Sequence, residues 1–231
     1  MPKILITTVP FSDKNSLPFD LLDNARIEYS TNPFNKKLTE EQLADIIPDF
    51  DVIIAGTEPI TEKVLNRATN LKLISRVGIG LDSVDLLAAK KKGIKVSYTP
   101  DAPTLAVAEL TLGLMLSLLR SVHVSNSQMH KGIWHRFFGK RLEDVTVGII
   151  GVGRIGTGVL NRLKGFGTKN ILVNDVEPNR KLDCEFKIEW TSKENIYKYS
   201  DIISLHIPLT YLTKNMIRKE HLYSMKPDAV I

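Results

Sequence analysis

A single cysteine, Cys184, stands in a chain of 231 residues, so no internal disulfide can form and no second thiol is present for a metal site. A reducing compartment, the cytoplasm, is the expectation. The first residues, "MPKILITTVP", lack a basic segment followed by a long apolar stretch and a cleavage site, so no signal peptide is expected. Long hydrophobic runs are scarce as well. The longest, "LAVAELTLGLMLSLL", is shorter than a membrane span and carries Glu109, which predicts a buried helix and no membrane partner. Charge of one sign is not concentrated anywhere. Lys and Arg number 31 against 26 Asp and Glu, and the only tight run, Lys90, Lys91 and Lys92, sits just before Gly93. Cations followed by glycine mark a helix end, where they complement the dipole, so the chain has no nucleic-acid patch. The surplus of +5 suits attraction of small anionic substrates instead. Internal repeats and low-complexity tracts are absent too.

What is present is ordinary globular composition, 43% hydrophobic and 25% charged, in a length that favours two modest domains. Short apolar strands, "KILIT", "DVIIAG", "LKLISRV" and "IKVSYTP", alternate with amphipathic segments, which predicts a parallel sheet with crossover helices. Thr39 followed by Gln42 has the spacing of a capping box. "SVDLLAAKKKG" reads as a helix closed by Gly93. Pro100 and Pro103 then punctuate the chain, and we place the domain boundary there, giving residues 1–99 and 100–231. The helix that follows is apolar on nearly every face and must be covered by other elements or by another subunit. A second series begins with "TVGII", "RIGTGVLNRLKGF", "ILVND" and "SDIISLHIP".

Gly151, Gly153 and Gly156 follow the apolar run "VTVGII" and open a helix near Arg154, the context a dinucleotide fold requires. The first glycine permits the tight turn, the second lets the backbone approach a pyrophosphate, and the third lets helix and strand pack closely. The helix N-terminus then presents amides to the phosphates. Asp175 ends the next strand, where a carboxylate can accept hydrogen bonds from the adenosine ribose and repel a 2′-phosphate, which favours NAD over NADP. Arg180 is the nearby cation that would work the other way. The competing reading is an ordinary strand-to-helix turn with a solvated strand end, but strand, triplet, helix and acid all stand in order.

Four ordered stretches, "ISRVGIGLDSVDLLAAKKKGIKVSYTP", "APTLAVAELTLGLMLSLLR", "GIIGVGRIG" and "SDIISLHIPLT", resemble the D-isomer-specific 2-hydroxyacid dehydrogenases over the whole chain. "AGTEPITEKVL" resembles the D-3-phosphoglycerate dehydrogenase branch. The resemblance implies an α/β protein with a flavodoxin-like substrate domain and a Rossmann-type NAD-binding domain, both with parallel sheets, and an active site in the cleft between them. It implies that backbone amides of Val77, Gly78, Ile79 and Gly80 bind the substrate carboxylate, and glycines in such a turn allow successive N–H groups to converge on an anion. It also implies that Thr111 lies near the nicotinamide, that Arg154 and Ile155 lie at the pyrophosphate, and that His206, Ile207 and Pro208 run along the cofactor.

His206 is therefore a cofactor-contact residue, not the acid-base catalyst. His123, His130, His135 and His221 show no acidic partner or metal-ligand spacing and read as surface or loop residues. Trp134, in "GIWHR", resembles the family's dimer arm, so a homodimer is expected. The family's catalytic arginine, glutamate and histidine are expected beyond Ile231, since "MKPDAVI" matches the stretch just before that arginine. The chain is thus read as an incomplete copy of an NAD-dependent oxidoreductase acting on a D-2-hydroxy acid such as 3-phosphoglycerate, inactive alone and without metal. A non-catalytic, corepressor-like dinucleotide-binding protein of the same fold is the alternative, and a different Rossmann enzyme is the third reading.

Overall fold

The β-branched runs near the start become the parallel strands of one sheet, in a computed structural model that describes residues 2–231. The chain divides into two compact units, Met1–Ala102 and Pro103–Ile231. In the first, strands β1 (Lys3–Ile6), β2 (Glu28–Thr31), β3 (Val52–Ala55), β4 (Leu73–Arg76) and β5 (Lys95–Tyr98) alternate with helices α1 (Leu17–Asn24), α2 (Glu40–Ile46), α3 (Glu62–Arg67) and α4 (Leu86–Lys91). Their order across the sheet is β2-β1-β3-β4-β5, all parallel, which is the flavodoxin-like arrangement. Leu5, Ile53 and Ile74 pack with Leu43, Val64, Leu65 and Ala89 of the helices into one core.

Local signals set where these helices begin. Thr39 Oγ1 accepts from Gln42 N–H at 3.3 Å and Gln42 Oε1 accepts from Thr39 N–H at 3.1 Å, the reciprocal bonds of a capping box. Asp85 Oδ1 accepts from Ala88 N–H at 2.9 Å to start α4, and Gly93, with φ +72°, closes it beyond Lys90 and Lys91.

The second unit opens with α5 (Thr104–Leu119) and α6 (Val122–Met129). Strands β6 (Thr146–Ile150), β7 (Asn170–Asn174), β8 (Glu189–Trp190) and β9 (Ile202–Leu205) follow, interleaved with α7 (Arg154–Gly165) and α8 (Lys193–Tyr199), and α9 (Lys219–Ser224) comes last. The sheet order is β8-β7-β6-β9, again parallel, so the strand order reverses between β6 and β9. Strands β6, β7 and β9 are packed on both faces. Val147, Ile149, Ile171 and Val173 face a core shared with α5 and α7, while Ile150, Leu172 and Ile203 pack with Ile196 and Tyr197 of α8. Val230 forms a parallel bridge with Ile202, in the position of a further strand beside β9.

The expected apolar helix is present as α5, but its covering is partial. Ala108, Leu112 and Met115 are buried, whereas Leu110, Leu114 and Leu118 stay exposed on a stripe of i, i+4 spacing. Among the described residues no single helix is long and apolar enough to cross a membrane.

Candidate dinucleotide site and anion turn

Strand order and glycine spacing put the loop between β6 and α7 at the carboxyl end of the second sheet, where the order reverses and ligands of open α/β sheets bind. The three glycines differ in what surrounds them. Gly151 has φ +94°, and a Cβ there would come within 2.5 Å of the His206 carbonyl oxygen and 2.8 Å of Ile207 Cγ2. A side chain at Gly156 would collide with the Gly151 carbonyl oxygen. Gly153 is the opposite case: a Cβ there would meet nothing within 4 Å, and its φ of −76° is open to any residue. The first and third glycines are thus required by the packing of the protein itself. The second keeps a space clear beside the N-terminus of α7.

The loop is anchored to the end of β7. Gly151 N–H donates to the Asn174 carbonyl at 2.8 Å, and Val152 N–H donates to Asp175 Oδ2 at 2.7 Å. Asp175 Oδ1 accepts from Glu177 N–H at 3.1 Å. The strand stops at Asn174, one residue earlier than the sequence suggests, and Asp175 is not simply a solvated strand end, because both of its oxygens hold backbone amides. Arg154 and Ile155 form the first turn of α7, Arg154 exposed and Ile155 half-buried.

His206 N–H donates to the Ile150 carbonyl at 2.8 Å, which continues the β6 to β9 pairing and brings His206 and Ile207 against Gly151. Burial pushes the His206 imidazole below the ordinary histidine value, so it is neutral at pH 7, and Nε2 shares a hydrogen bond with Ser204 Oγ at 2.9 Å. The exposed Pro208 accepts at its carbonyl from Thr213 Oγ1 at 2.6 Å. Thr111 lies apart from the loop on α5, half-buried, its hydroxyl donating to the Val107 carbonyl at 2.8 Å.

In the first unit, residues 77–80 leave the carboxyl end of β4. Two of the four amides expected to meet an anion have partners within the protein. Val77 N–H donates to the Ala55 carbonyl at 2.8 Å, extending the parallel ladder, and Gly78 N–H donates to Thr99 Oγ1 at 2.9 Å. The N–H groups of Ile79 and Gly80 have no partner among the described residues.

Sequence reasoning passed over two residues of this unit. Arg76 is buried, with its guanidinium beside Gly78, where a Cβ would lie 2.8 Å from Nη1. It donates to the Val77 carbonyl, its Nε has no hydrogen-bond partner, and none of the described ion pairs includes it. A buried cation so placed demands an anion. The signal was available: an arginine interrupts the apolar run "LKLISRV" immediately before a glycine turn. Glu58 is buried at the ends of β1 and β3, where Thr7 Oγ1 and Gly56 N–H donate to it, the latter at 3.0 Å.

Residues 112–231 match the family described as D-isomer specific 2-hydroxyacid dehydrogenase, NAD binding domain. Along its whole length the chain is 37% identical, over 236 residues, to a D-3-phosphoglycerate dehydrogenase of Methanocaldococcus jannaschii, of which it covers 43%. It is 37% identical over 200 residues to a hydroxypyruvate reductase of Thermotoga maritima, an alignment that takes in 85% of this chain and 64% of that protein. The crystal structure of an Aquifex aeolicus D-lactate dehydrogenase, complexed with NAD and lactic acid, has a TM-score of 0.84 at 29% identity, over 96% of this chain and 66% of the other. The chain thus spans less than two thirds of the length of these curated relatives.

Proposed function

Because the chain belongs to the D-isomer specific 2-hydroxyacid dehydrogenase family, we propose that it supplies the two binding functions of an NAD-dependent oxidoreductase. Its second unit holds the dinucleotide on the loop of residues 151–156, and its first unit offers residues 76–80 to an anionic 2-hydroxy or 2-oxo acid. When bound, the nicotinamide accepts a hydride in one direction and donates it in the other. The protein's own contribution is binding and orientation. The observation that carries the reading is the uneven room at the three glycines, tight against protein at Gly151 and Gly156 and open at Gly153. Protein packing does not require a glycine at the middle position, whereas a closely approaching pyrophosphate does.

The amides at the start of α7 face the side where phosphates would lie, and the dipole of this 12-residue helix adds partial positive charge there. Asp175 favours NAD over NADP, because a carboxylate accepts hydrogen bonds from ribose hydroxyls and repels a phosphate. Ile207 and the neutral His206 border the loop at Gly151 and supply an uncharged wall. At the anion turn, the two amides of Ile79 and Gly80 suit one carboxylate, and the Arg76 guanidinium suits a second negative group. Substrates with two anionic ends, such as 3-phosphoglycerate, therefore fit better than glycolate or glycerate. These two anion positions support phosphoglycerate dehydrogenase chemistry over reduction of smaller 2-oxo acids.

Calorimetric titration tests the reading. NADH is expected to bind more tightly than NADPH, and in its presence 3-phosphoglycerate is expected to bind at least about tenfold more tightly than D-glycerate, one charged contact's worth. Arg76→Gln should abolish that second difference while leaving NADH affinity intact. Equal affinity for the two acids would remove the phosphorylated substrate from the proposal, and equal or tighter NADPH binding would sink the cofactor assignment.

A further inference from the structure

Val152 lies between the two glycines at which the loop turns, one residue before the N-cap of α7, so its N–H has no intrahelical acceptor. Asp175 Oδ2 provides one from just beyond the next strand, at 2.7 Å, the short separation of a charge-assisted bond. The loop is also tied on its other side, where Thr157 Oγ1 donates to the Val152 carbonyl at 3.2 Å. The strand end that presents Asp175 is itself fixed, since Asn174 Nδ2 donates to the Thr191 carbonyl at 2.6 Å. Val152 is thus gripped at both its N–H and its carbonyl, next to the glycine with the open flank.

We propose that Asp175 is a positioning residue for the glycine loop in addition to any contact it makes with the cofactor. Through the Val152 amide it sets the backbone that must approach a pyrophosphate, so loop and adenosine ribose share one carboxylate. The acceptor count makes this possible. An ionised carboxylate has roughly four acceptor positions. The amides of Val152 and Glu177 fill two, and what is left equals the two hydroxyl donors of a ribose diol. An asparagine has one acceptor oxygen and cannot serve the whole set, and an alanine serves none of it. This inference rests on the NAD reading for its ribose half and on the loop's own hydrogen bonds for the other.

Two measurements on the full chain separate the halves. In the cofactor-free protein, amide hydrogen exchange at Val152 should quicken about tenfold or more in Asp175→Ala, and less in Asp175→Asn, which keeps one acceptor. An NADH analogue without the two adenosine ribose hydroxyls should then bind about tenfold more weakly to Asp175→Ala than to the unaltered chain, although it has no diol to lose. A residue that acted only on the ribose would bind this analogue equally well in both forms. Equal binding, or Val152 exchange unchanged in both variants, overturns the proposal. If Asp175→Ala fails to fold, Asp175→Asn carries both measurements. Should the unaltered chain bind neither NADH nor the analogue, the NAD reading falls, and the exchange rates alone decide the role of Asp175 in the loop.

Discussion

A side chain added at Gly153 would stand in space with no atom within 4 Å, whereas one at Gly156 would strike the carbonyl oxygen of Gly151. The same kind of substitution therefore has opposite consequences three residues apart. Gly153→Val leaves the protein's packing alone, at a φ of −76° that valine adopts, so unfolding free energy should change by no more than about 1 kcal/mol, the scale of an altered N-cap. NADH affinity should fall by two orders of magnitude or more, because the methyl groups occupy the pyrophosphate's approach. Gly156→Ala forces backbone apart and should cost about 1–3 kcal/mol of stability, the range for overpacking a close contact. Urea denaturation beside fluorescence titration of both variants checks this. A Gly153→Val chain that binds NADH normally would make the loop a structural turn. At this scale the glycine spacing indicates a separate role for each position but not which atoms enforce it. Spacing is local, but the His206 carbonyl reaches Gly151 only through the tertiary fold. The run "LKLISRV" marks Arg76 as a charge among apolar residues, but its burial without an ion-pair partner is a property of the folded unit.

Helix starts were the most legible elements, because a cap is a contact among residues three apart. Thr39 with Gln42 forms its capping box where the spacing indicates, and Asp85 before "LLAAKK" also forms a side-chain cap. Removing one should have a defined effect. Thr39→Ala deletes the acceptor for Gln42 N–H and loosens the reciprocal bond, so the first unit should lose about 1 kcal/mol, read as a lower urea midpoint with unchanged slope. Leu43 and Ala44 of the same helix stay in the core, so the fold should survive. No loss beyond a few tenths of a kcal/mol would mean that packing alone sets the start of α2. Elements without such local marks were harder to read. The stretch "SVHVSNSQMH" has weak periodicity, yet it forms α6 directly behind α5, entered through Ser121 at φ +52°. Strand β8 is two residues long and pairs only with β7, too short to leave an alternating pattern. The turn at residues 77–80 was found by its glycines, but which of its amides were free depended on Ala55 and Thr99, which lie more than twenty positions away in the chain.

At the scale of the whole molecule, each unit buries a core of its own, and one group of exposed apolar side chains lies on α5 and on the segment after α6 of the second unit. Leu110, Leu114 and Leu118 lie along α5, Trp134 is 84% exposed, and Phe138 is fully exposed. The segment holding these aromatics returns to the end of α5, where Lys140 N–H donates to the Leu119 carbonyl at 3.1 Å, and Phe138 and Leu118 border one hollow of about 170 Å³. The last leucine of the stripe and one of the aromatics therefore meet. Scattered single hydrophobics on a surface need no explanation, but a contiguous patch of leucine and aromatic side chains marks an interface. A second copy of the chain is the occupant we expect, since a two-fold interface lets the same stripe and the same arm cover each other. Sedimentation equilibrium should give a dimer at low micromolar concentration. Replacing both Leu110 and Leu114 by Asp should give a monomer, because each buried leucine contributes about 1.5–3 kcal/mol and a buried unpaired carboxylate opposes association. Neither side chain belongs to the core, so circular dichroism should be unchanged. NADH titration should also persist in the monomer, because the loop and Asp175 lie within one unit. A chain that stays monomeric at high micromolar concentration, before any substitution, would show that the stripe is covered by something other than its own copy.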